Sequence, residues 1–301
     1  DITIEESEIQ ENLKVNIAST LSNYPNIGTN SFGSVTSKPA LRGFSGDRFL
    51  LTNNGNETGD LSQSSIDHVI TLDMSEVRQI EIIRGPKALI FGPNAIGGVV
   101  NATLIGNPLV KADRIYQRYL FGSESFNNGS YGNLMLYIPF KNNQINFFSS
   151  NKKTGNEISS VGELENTKSQ ISNYKYRLTN YNNLGFISYS FEDYNIIYGI
   201  PPAAGVGHAS GVDILLNKKT NQFSYHKDIN FGPFDLIDIN YSLIDYLHLE
   251  DKSFESDNIK ENFNQGDYHV GLSKHTTELK VELGSSNSKF GKHWGIEYHE
   301  R

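Results

Sequence analysis

The residues with the clearest chemical potential are an acidic residue and a histidine that stand side by side. Asp67 and His68 lie in the Ser-rich segment 60–71. A carboxylate oxygen and an imidazole nitrogen are ligands that suit Zn²⁺, and neutral histidine is the commonest metal ligand in proteins. Two adjacent side chains reach one ion only from an irregular loop, which this composition predicts. The pair is therefore a candidate metal-binding element.

A plainer interpretation of the pair stays open. Asp67 is equally typical of a turn or a cap, and His68 of an exposed polar position. Three further candidates, His248, Glu250 and His299, fall on the polar faces of predicted strands. The spacing of these residues along the chain does not show whether any of them meets the pair.

Other classes of chemistry lack their usual motifs. The sequence has no G-x-S-x-G elbow and no H-E-x-x-H helix or P-loop, so we expect no enzyme, no catalytic residues and no cofactor. The absence of Cys excludes disulfides and thiolate metal sites. The net charge is −8, and no Lys/Arg cluster interleaves with aromatic residues, which argues against a nucleic-acid partner.

The elements that must position the candidates are mostly strands. From about residue 110 the sequence alternates between apolar and polar residues, which is the period of a strand with two different faces. Several runs reach the roughly 9–11 residues of membrane-barrel strands, beyond the usual 5–6 of soluble strands. Such runs occur at 133–140, 187–192, 235–250, 277–283 and 294–299.

The bulk composition agrees with a membrane barrel. The 301 residues are 37 % hydrophobic, and only alternate residues of a barrel strand face lipid. The sequence contains no run of about 18 apolar residues, so we expect no membrane-spanning helix. On the alternation of apolar and polar residues alone, a soluble all-β sandwich or solenoid stays open.

Polar connectors between the predicted strands are expected at 123–130, 151–173, 199–220 and 251–266.

Residues 1–106 have a different, mixed texture. Leu13, Ile17 and Leu21 predict a short amphipathic helix over 12–21. The stretch 77–84 predicts a strand with Ile80 and Ile82 on one face. A helical turn is expected at 86–90, and a turn followed by a strand at 95–104.

A long ordered motif stands in this region. It reads Ile80-Glu81-Ile82-Ile83-Arg84-Gly85-Pro86-Lys87-Ala88-Leu89-Ile90-Phe91-Gly92-Pro93-Asn94-Ala95-Ile96-Gly97-Gly98-Val99-Val100-Asn101. It resembles the plug-domain signature of TonB-dependent outer-membrane receptors, I-E-V-x-R-G-P-x-x-x-x-Y-G-x-x-A-x-G-G-x-V/I-N. The segment 41–44 (Leu-Arg-Gly-Phe) resembles the upstream R-G element. The usual V-L-V-D-G stretch is altered at 49–55, where Asn-Gly replaces Asp-Gly.

The resemblance implies a mixed fold, with a small α+β plug followed by antiparallel transmembrane β-barrel strands. We expect the plug at 1–106 and the N-terminal part of the barrel at 107–301, with about eight to ten strands. A barrel of 22 strands needs at least roughly 200–240 residues in strands, so the barrel is expected to be truncated. The plug is expected to be truncated as well, because the sequence begins at Asp1 without the TonB box of such receptors. The implied location is the outer membrane of a Gram-negative cell, in contact with its lipid.

The motif residues are expected to build the plug rather than bind a ligand. The glycines suit turns with positive φ or close backbone approach, and the resemblance implies that Arg84 meets carboxylates of the barrel wall. The structural set is Arg42, Gly43, Arg84, Gly85, Pro86, Gly92, Gly97 and Gly98.

The resemblance also implies a transport mechanism without covalent chemistry. TonB, with its inner-membrane energising complex, pulls on the plug, and a ligand bound at the plug apex and inner wall is released. The zinc-uptake branch carries a similar S-x-D-H-A segment, which matches Asp67 and His68 residue by residue. Zinc is therefore the first prediction for the cargo, although the loop 199–211 holds a single histidine, His208.

Two alternatives stay open at this stage. One is a receptor of the same architecture for another small metal chelate, a ferric siderophore or haem. The other, from a different class, is a secreted β-rich glycan-binding module.

Overall fold

The computed structural model describes the chain apart from residues 1, 12, 34, 92–93, 105, 107, 110, 203–209, 252–267, 285–293 and 301. The N-terminal part, residues 2–104, is called the plug below. The long sheet formed by residues 116–300 is called the wall.

The plug is built on a five-stranded sheet and a separate hairpin. The sheet has the order β1-β6-β7-β4-β5, in which β4 and β7 are parallel and the other pairs are antiparallel. The plug strands are β1 (Ile2–Glu5), β2 (Ile27–Asn30), β3 (Lys38–Leu41), β4 (Leu50–Asn53), β5 (Asn56–Glu57), β6 (Val77–Ile83) and β7 (Val99–Leu104). Its helices are α1 (Glu6–Glu11) and α2 (Ile17–Leu21), with 3₁₀ turns at Gly46–Arg48, Met74–Glu76 and Gly85–Phe91.

The core of the plug follows from strand alternation. In β6, Ile80 and Ile82 are fully buried while Glu81 between them is not. They pack with Val100 and Ala102 of β7 in one apolar cluster. Burial of each Ile or Val side chain of this cluster contributes about 1.5–3 kcal/mol. The predicted strand, its buried face, the helical turn at 86–90 and the strand before residue 104 are confirmed.

The predicted helix over 12–21 is only partly correct. The α-helix α2 begins at Ile17, because the side chain of Asn16 accepts a hydrogen bond from the Ser19 amide at 2.9 Å and caps the helix there. Leu13 lies outside the helix but still packs against the plug core. The apolar spacing therefore predicted the burial of these side chains correctly, but it predicted too long a helix.

The wall is a nine-stranded antiparallel sheet in which sequence neighbours pair, with a small hairpin, β11–β12, inserted in one connection. The strands are β8 (Tyr116–Glu124), β9 (Gly129–Phe140), β10 (Asn143–Thr154), β11 (Glu157–Ser159), β12 (Gly162–Leu164), β13 (Ser169–Asn182), β14 (Gly185–Ile200), β15 (Val212–Phe231), β16 (Phe234–Asp251), β17 (Val270–Gly284) and β18 (Trp294–Glu300). The mixed fold and the expected eight to ten barrel strands are confirmed, and the soluble sandwich is not the architecture.

Strand length separates this wall from ordinary soluble sheets. Strand β15 has 20 residues, which at about 3.3 Å per residue exceeds the ~30 Å of a bilayer core. Among the described residues, no helix is both long enough and apolar enough to cross a membrane.

Three predicted connectors are partly strand, and the two ends of 123–130 belong to β8 and β9. β15 begins at Val212, so much of 199–220 is sheet, and 151–173 contains the end of β10, the β11–β12 hairpin and the start of β13. The prediction was wrong at 212–220 because Ile214 and Leu216 point inward, where they are fully buried against the plug. Most of the connector 251–266 lies outside the described residues.

Candidate metal site between plug and wall

The structure brings one plug histidine to two polar residues of the wall. His68 lies in the irregular segment 60–71, called the His68 loop below, while His248 and Glu250 lie on β16. One ligand atom from each of the three side chains lies within 4.8 Å of the others, and they form the only such group of three among the described residues. The ring centres of His68 and His248 are 4.4 Å apart.

Burial keeps this cluster away from bulk water. His248 is 0 % exposed, His68 5 % and Glu250 9 %. His248 and Glu250 are two residues apart on a strand, so both point to the same face, and that face meets the plug. The predicted polar face of β16 is therefore turned inward along this part of the strand.

The hydrogen bonds of His68 determine which ring nitrogen faces the cluster. Its Nδ1 lies 3.1 Å from the Leu61 carbonyl oxygen and 3.1 Å from the Ser64 hydroxyl. Because a carbonyl only accepts, this geometry favours the tautomer with the proton on Nδ1, which leaves the Nε2 lone pair for a metal. Burial, and then the neighbouring His248, hold the pKa of His68 below its ordinary value. The neutral form that binds metals is thus the favoured one.

His248 is held by its own strand. Its Nε2 lies 3.2 Å from Glu250 Oε1, and its Nδ1 lies 3.4 Å from the Tyr246 hydroxyl. Two imidazoles and one carboxylate form a donor set that suits Zn²⁺ with a further open position.

Asp67 does not join this cluster. Its carboxylate accepts a hydrogen bond from the Ser65 hydroxyl, and its backbone carbonyl accepts one from the Tyr198 hydroxyl at 2.9 Å. The group of three ligand atoms consists of His68, His248 and Glu250 and does not include Asp67. The expectation that both side chains reach the same ion is therefore not met by the three-residue cluster.

For His299, the remaining strand candidate, the structure describes only the backbone. Its backbone pairs with Glu278 in the β17–β18 ladder, but its side chain lies outside the described residues, as does the whole of His208.

A buried carboxylate closes the ends of the His68 loop. Asp60 accepts hydrogen bonds from the Ser62 amide at 3.0 Å, from the Thr71 amide at 3.0 Å and from the Thr71 hydroxyl at 2.9 Å. Burial opposes ionisation of Asp60, but the charge of Lys218 and these hydrogen bonds outweigh it and lower the pKa of Asp60. An ionised carboxylate therefore ties the two ends of the loop together.

A lysine supports the same loop from the plug side. The Lys38 ammonium donates to the carbonyl oxygens of Ser62 and Ser65. Burial lowers the pKa of Lys38 to about 8, although Asp60 and Asp67 act in the opposite direction. The loop that carries His68 is thus held at several backbone positions.

Several glycines of the motif are required by the backbone and packing of the plug. Gly85 and Gly98 have φ of +72° and +125°, and a Cβ at Gly98 would lie 2.5 Å from Leu41 Cδ2. Gly97 is equally close to Phe44, since a Cβ there would lie 2.6 Å from the Phe44 Cβ.

The other motif residues are less informative. Arg42 and Gly43 have φ of 52° and 81° in the turn after β3, and Pro86 lies in the 3₁₀ turn. Gly92 lies outside the described residues. The contact of Arg84 with wall carboxylates stays a prediction.

Sequence reasoning missed the ion pairs between plug and wall. The Lys175 ammonium of β13 donates to both carboxylate oxygens of Glu76 in the plug, at 2.9 Å and 2.8 Å. The same ammonium lies 3.4 Å from Glu192 Oε1 of β14. Burial foremost raises the pKa of Glu76 to about 7. Arg118 of β8 pairs with Glu6 of the plug at 3.0 Å. The partners are far apart in the chain, so no local pattern signals them.

The contact surface between plug and wall is called the seam below. Together with the fold, it defines a class of protein, a plugged β-barrel receptor. Residues 2–99 match the family described as TonB-dependent Receptor Plug Domain. Residues 2–99 therefore form a plug domain of this family, and the whole chain has the fold of a plug with part of a β-barrel. Members of this family are outer-membrane proteins of Gram-negative bacteria, so the outer membrane is the location of this chain.

Several known proteins resemble the chain. A hemin receptor of Yersinia enterocolitica is 30 % identical over 122 residues, which cover 36 % of this chain and 17 % of that protein. The structure of the copper transporter OprC aligns with a TM-score of 0.78 at 12 % identity, over 98 % of this chain and 45 % of that one. The iron transporter FrpB from Neisseria meningitidis gives 0.68 at 13 % identity, over 94 % and 45 %. The chain thus spans less than half of these structures, and at such identities the likeness shows the fold alone.

Proposed function

We propose that the chain is part of a TonB-dependent receptor that takes up a metal ion, with Zn²⁺ as the first candidate. The observation that carries the proposal is the buried group of His68, His248 and Glu250, whose ligand atoms lie within 4.8 Å of one another. Two imidazole nitrogens and one carboxylate oxygen suit Zn²⁺ in number and type. Glu250 supplies the negative charge that a buried dication needs.

The location of the group favours cargo over a structural metal. One ligand belongs to the plug and two belong to the wall, so an ion held there bridges two parts of the molecule. Displacement of the plug removes His68 and leaves the ion with only two protein ligands. Because coordination by fewer ligands is weaker, plug movement itself would release the ion.

The energy for such movement would come from TonB and its inner-membrane complex. In this proposal residues 1–106 act as the moving plug domain and 107–301 contribute the barrel wall. No covalent step is required, and the side chains only bind, orient and release the ion.

Haem uptake is the second candidate, because a hemin receptor is 30 % identical to this chain over 122 residues. The geometry of the cluster favours a bare ion. Histidines bind haem iron end-on through one nitrogen, so two of them on opposite faces of the macrocycle have ring centres that lie farther apart than the two ligating nitrogens. The ring centres of His68 and His248 are only 4.4 Å apart. A haem or a ferric siderophore would therefore have to bind elsewhere or part the two rings.

Calorimetric titration of the full chain in detergent with Zn²⁺ tests the proposal. We expect one ion per chain, with affinity reduced at least about tenfold in His68→Ala and in His248→Ala. His275→Ala is the matched control, since that side chain is 81 % exposed, and its affinity should equal the wild-type value. Unchanged affinity in both cluster variants would overturn the zinc proposal, and tight binding of hemin that survives them would favour the second candidate.

A further inference from the structure

A lysine of the wall is buried beneath the His68 loop. Lys218 of β15 is 2 % exposed, and its Nζ lies 3.3 Å from the Thr58 carbonyl oxygen and 3.5 Å from the Thr71 carbonyl oxygen. Thr58 precedes the loop and Thr71 ends it. The ammonium therefore contacts the backbone at both ends of the loop. Residues 58–60 and Thr71, where the two ends meet, are called the neck of the loop below.

The charge of Lys218 has its counterpart at the same neck. Asp60 ties the amides of Ser62 and Thr71 together, at 3.0 Å each, and the ammonium stabilises its ionised form. A buried ammonium carries a large desolvation cost unless an opposite charge and hydrogen-bond acceptors compensate for it. Here the plug supplies both kinds of compensation, to which Glu192 of the neighbouring strand β14 adds a second opposite charge, so the lysine and the loop neck stabilise each other.

Neighbouring wall strands hold the neck from two further sides. Gly59 has φ of +71° and lies so close to Ile244 of β16 that a Cβ there would be 2.4 Å from Ile244 Cδ1. Lys274 of β17 lies with its Nζ 3.3 Å from the Asp60 carbonyl oxygen. Strands β15, β16 and β17 thus all contact the segment 58–60.

We propose that Lys218 is a positioning residue for the metal site, which fixes the neck of the His68 loop to the wall and so sets the separation of His68 from His248 and Glu250. The proposal rests on the function proposed above for its metal readout, but its structural part does not. Lys218 contacts the backbone at both ends of the loop, and His68 lies only three residues before Thr71.

The sign of the effect separates positioning from simple electrostatics. If Lys218 acted only as a positive charge near the ion, its neutralisation would tighten Zn²⁺ binding. If it positions the loop, Lys218→Met weakens binding by about tenfold, as is usual for groups that orient metal ligands. Lys218→Arg keeps the charge and the donors and should recover most of the affinity. Lys219→Met is the matched control, because Lys219 is exposed on the opposite face of the same strand.

A second measurement needs no metal. The chain has no Cys, so a spin label at Ile66→Cys, whose native side chain is 47 % exposed, reports on the His68 loop alone. We expect Lys218→Met to increase the mobility of the label in the electron paramagnetic resonance spectrum. Lys218→Arg and Lys219→Met should leave the spectrum close to that of the labelled parent.

The two measurements distinguish the failures. Equal spectra for Lys218→Met and Lys219→Met would overturn the positioning role, whatever the metal affinity. A mobile loop with unchanged or tighter Zn²⁺ binding would overturn the link to the metal site. A mobile loop in a chain whose Zn²⁺ binding ignores His68→Ala would overturn the proposed cargo and leave the clamp on the loop standing.

Discussion

The interior of the plug and the seam between plug and wall are stabilised by opposite kinds of contact. The interior is apolar, with Val77, Ile80 and Ile82 all fully buried. The seam between plug and wall contains many polar contacts, which include Glu76 with Lys175 and Lys218 with carbonyl oxygens of the plug. Interior packing is non-directional and needs no partner outside the plug. The contacts of the seam join groups that water also solvates well.

This difference bears on how the plug would move. Charged groups regain hydration when they separate, which offsets much of their lost attraction. An apolar interior gains nothing comparable when it opens. A force on the plug would therefore separate the seam before it unfolds the interior. One apolar patch crosses the seam, where Val35 and Val69 of the plug pack against wall residues such as Ile196.

The largest expected effect comes from breaking one buried ion pair of the seam. Lys175→Met leaves the buried carboxylates of Glu76 and Glu192 without their shared cation. We expect a loss of about 3–5 kcal/mol in the free energy of unfolding, measured by urea titration at pH 8. The double variant Glu76→Gln/Lys175→Met should recover part of the loss. Equal stability of the single variant and the wild type would show that the seam contributes little.

A slightly smaller effect is expected from the interior. Ile82→Ala removes buried methyl groups and should cost about 2–5 kcal/mol in the same titration. Unlike the ion pair, this loss has no partner substitution that restores it. Ile66→Ala is the control because Ile66 is 47 % exposed, and a comparable loss there would contradict the assignment of the core.

The pH dependence of the seam provides a third test. The pKa of Glu76 is raised from 4.5 to about 7 by burial, so the folded state binds this proton more tightly than the unfolded state. The sign follows directly: stability falls as pH rises from about 4.5 towards 7, by on the order of 3 kcal/mol at most. Glu76→Gln should flatten this part of the curve. A curve unaltered by Glu76→Gln would assign the dependence to other groups.

The smallest effect is local to the plug. Asn16→Ala removes the cap of α2, whose side chain accepts from the Ser19 amide at 2.9 Å, and should cost about 0.5–2 kcal/mol. Asn16→Asp keeps the acceptor and serves as the control. If the alanine and aspartate variants have the same free energy of unfolding, the cap does not stabilise the helix.

Much of the fold could be predicted because alternation is a local property. The buried face of β6, the inward face of β16 and the family of the plug were all readable from consecutive residues. The boundaries failed where tertiary contacts overrode local texture. Asn16 capped α2 later than the apolar spacing indicated, and Ile214 and Leu216 turned a polar-looking connector into the start of β15.

The sequence by itself determined the plug motif, the strand periods and the candidacy of His68, since each depends on residues that are neighbours in the chain. Only the tertiary structure decided that His68 meets His248 and Glu250, that Asp67 is not part of this group, and that Lys218 contacts both ends of the loop. The physical reason is that plug and wall meet through side chains far apart in sequence. Their register depends on how two surfaces pack, and no local pattern records that packing.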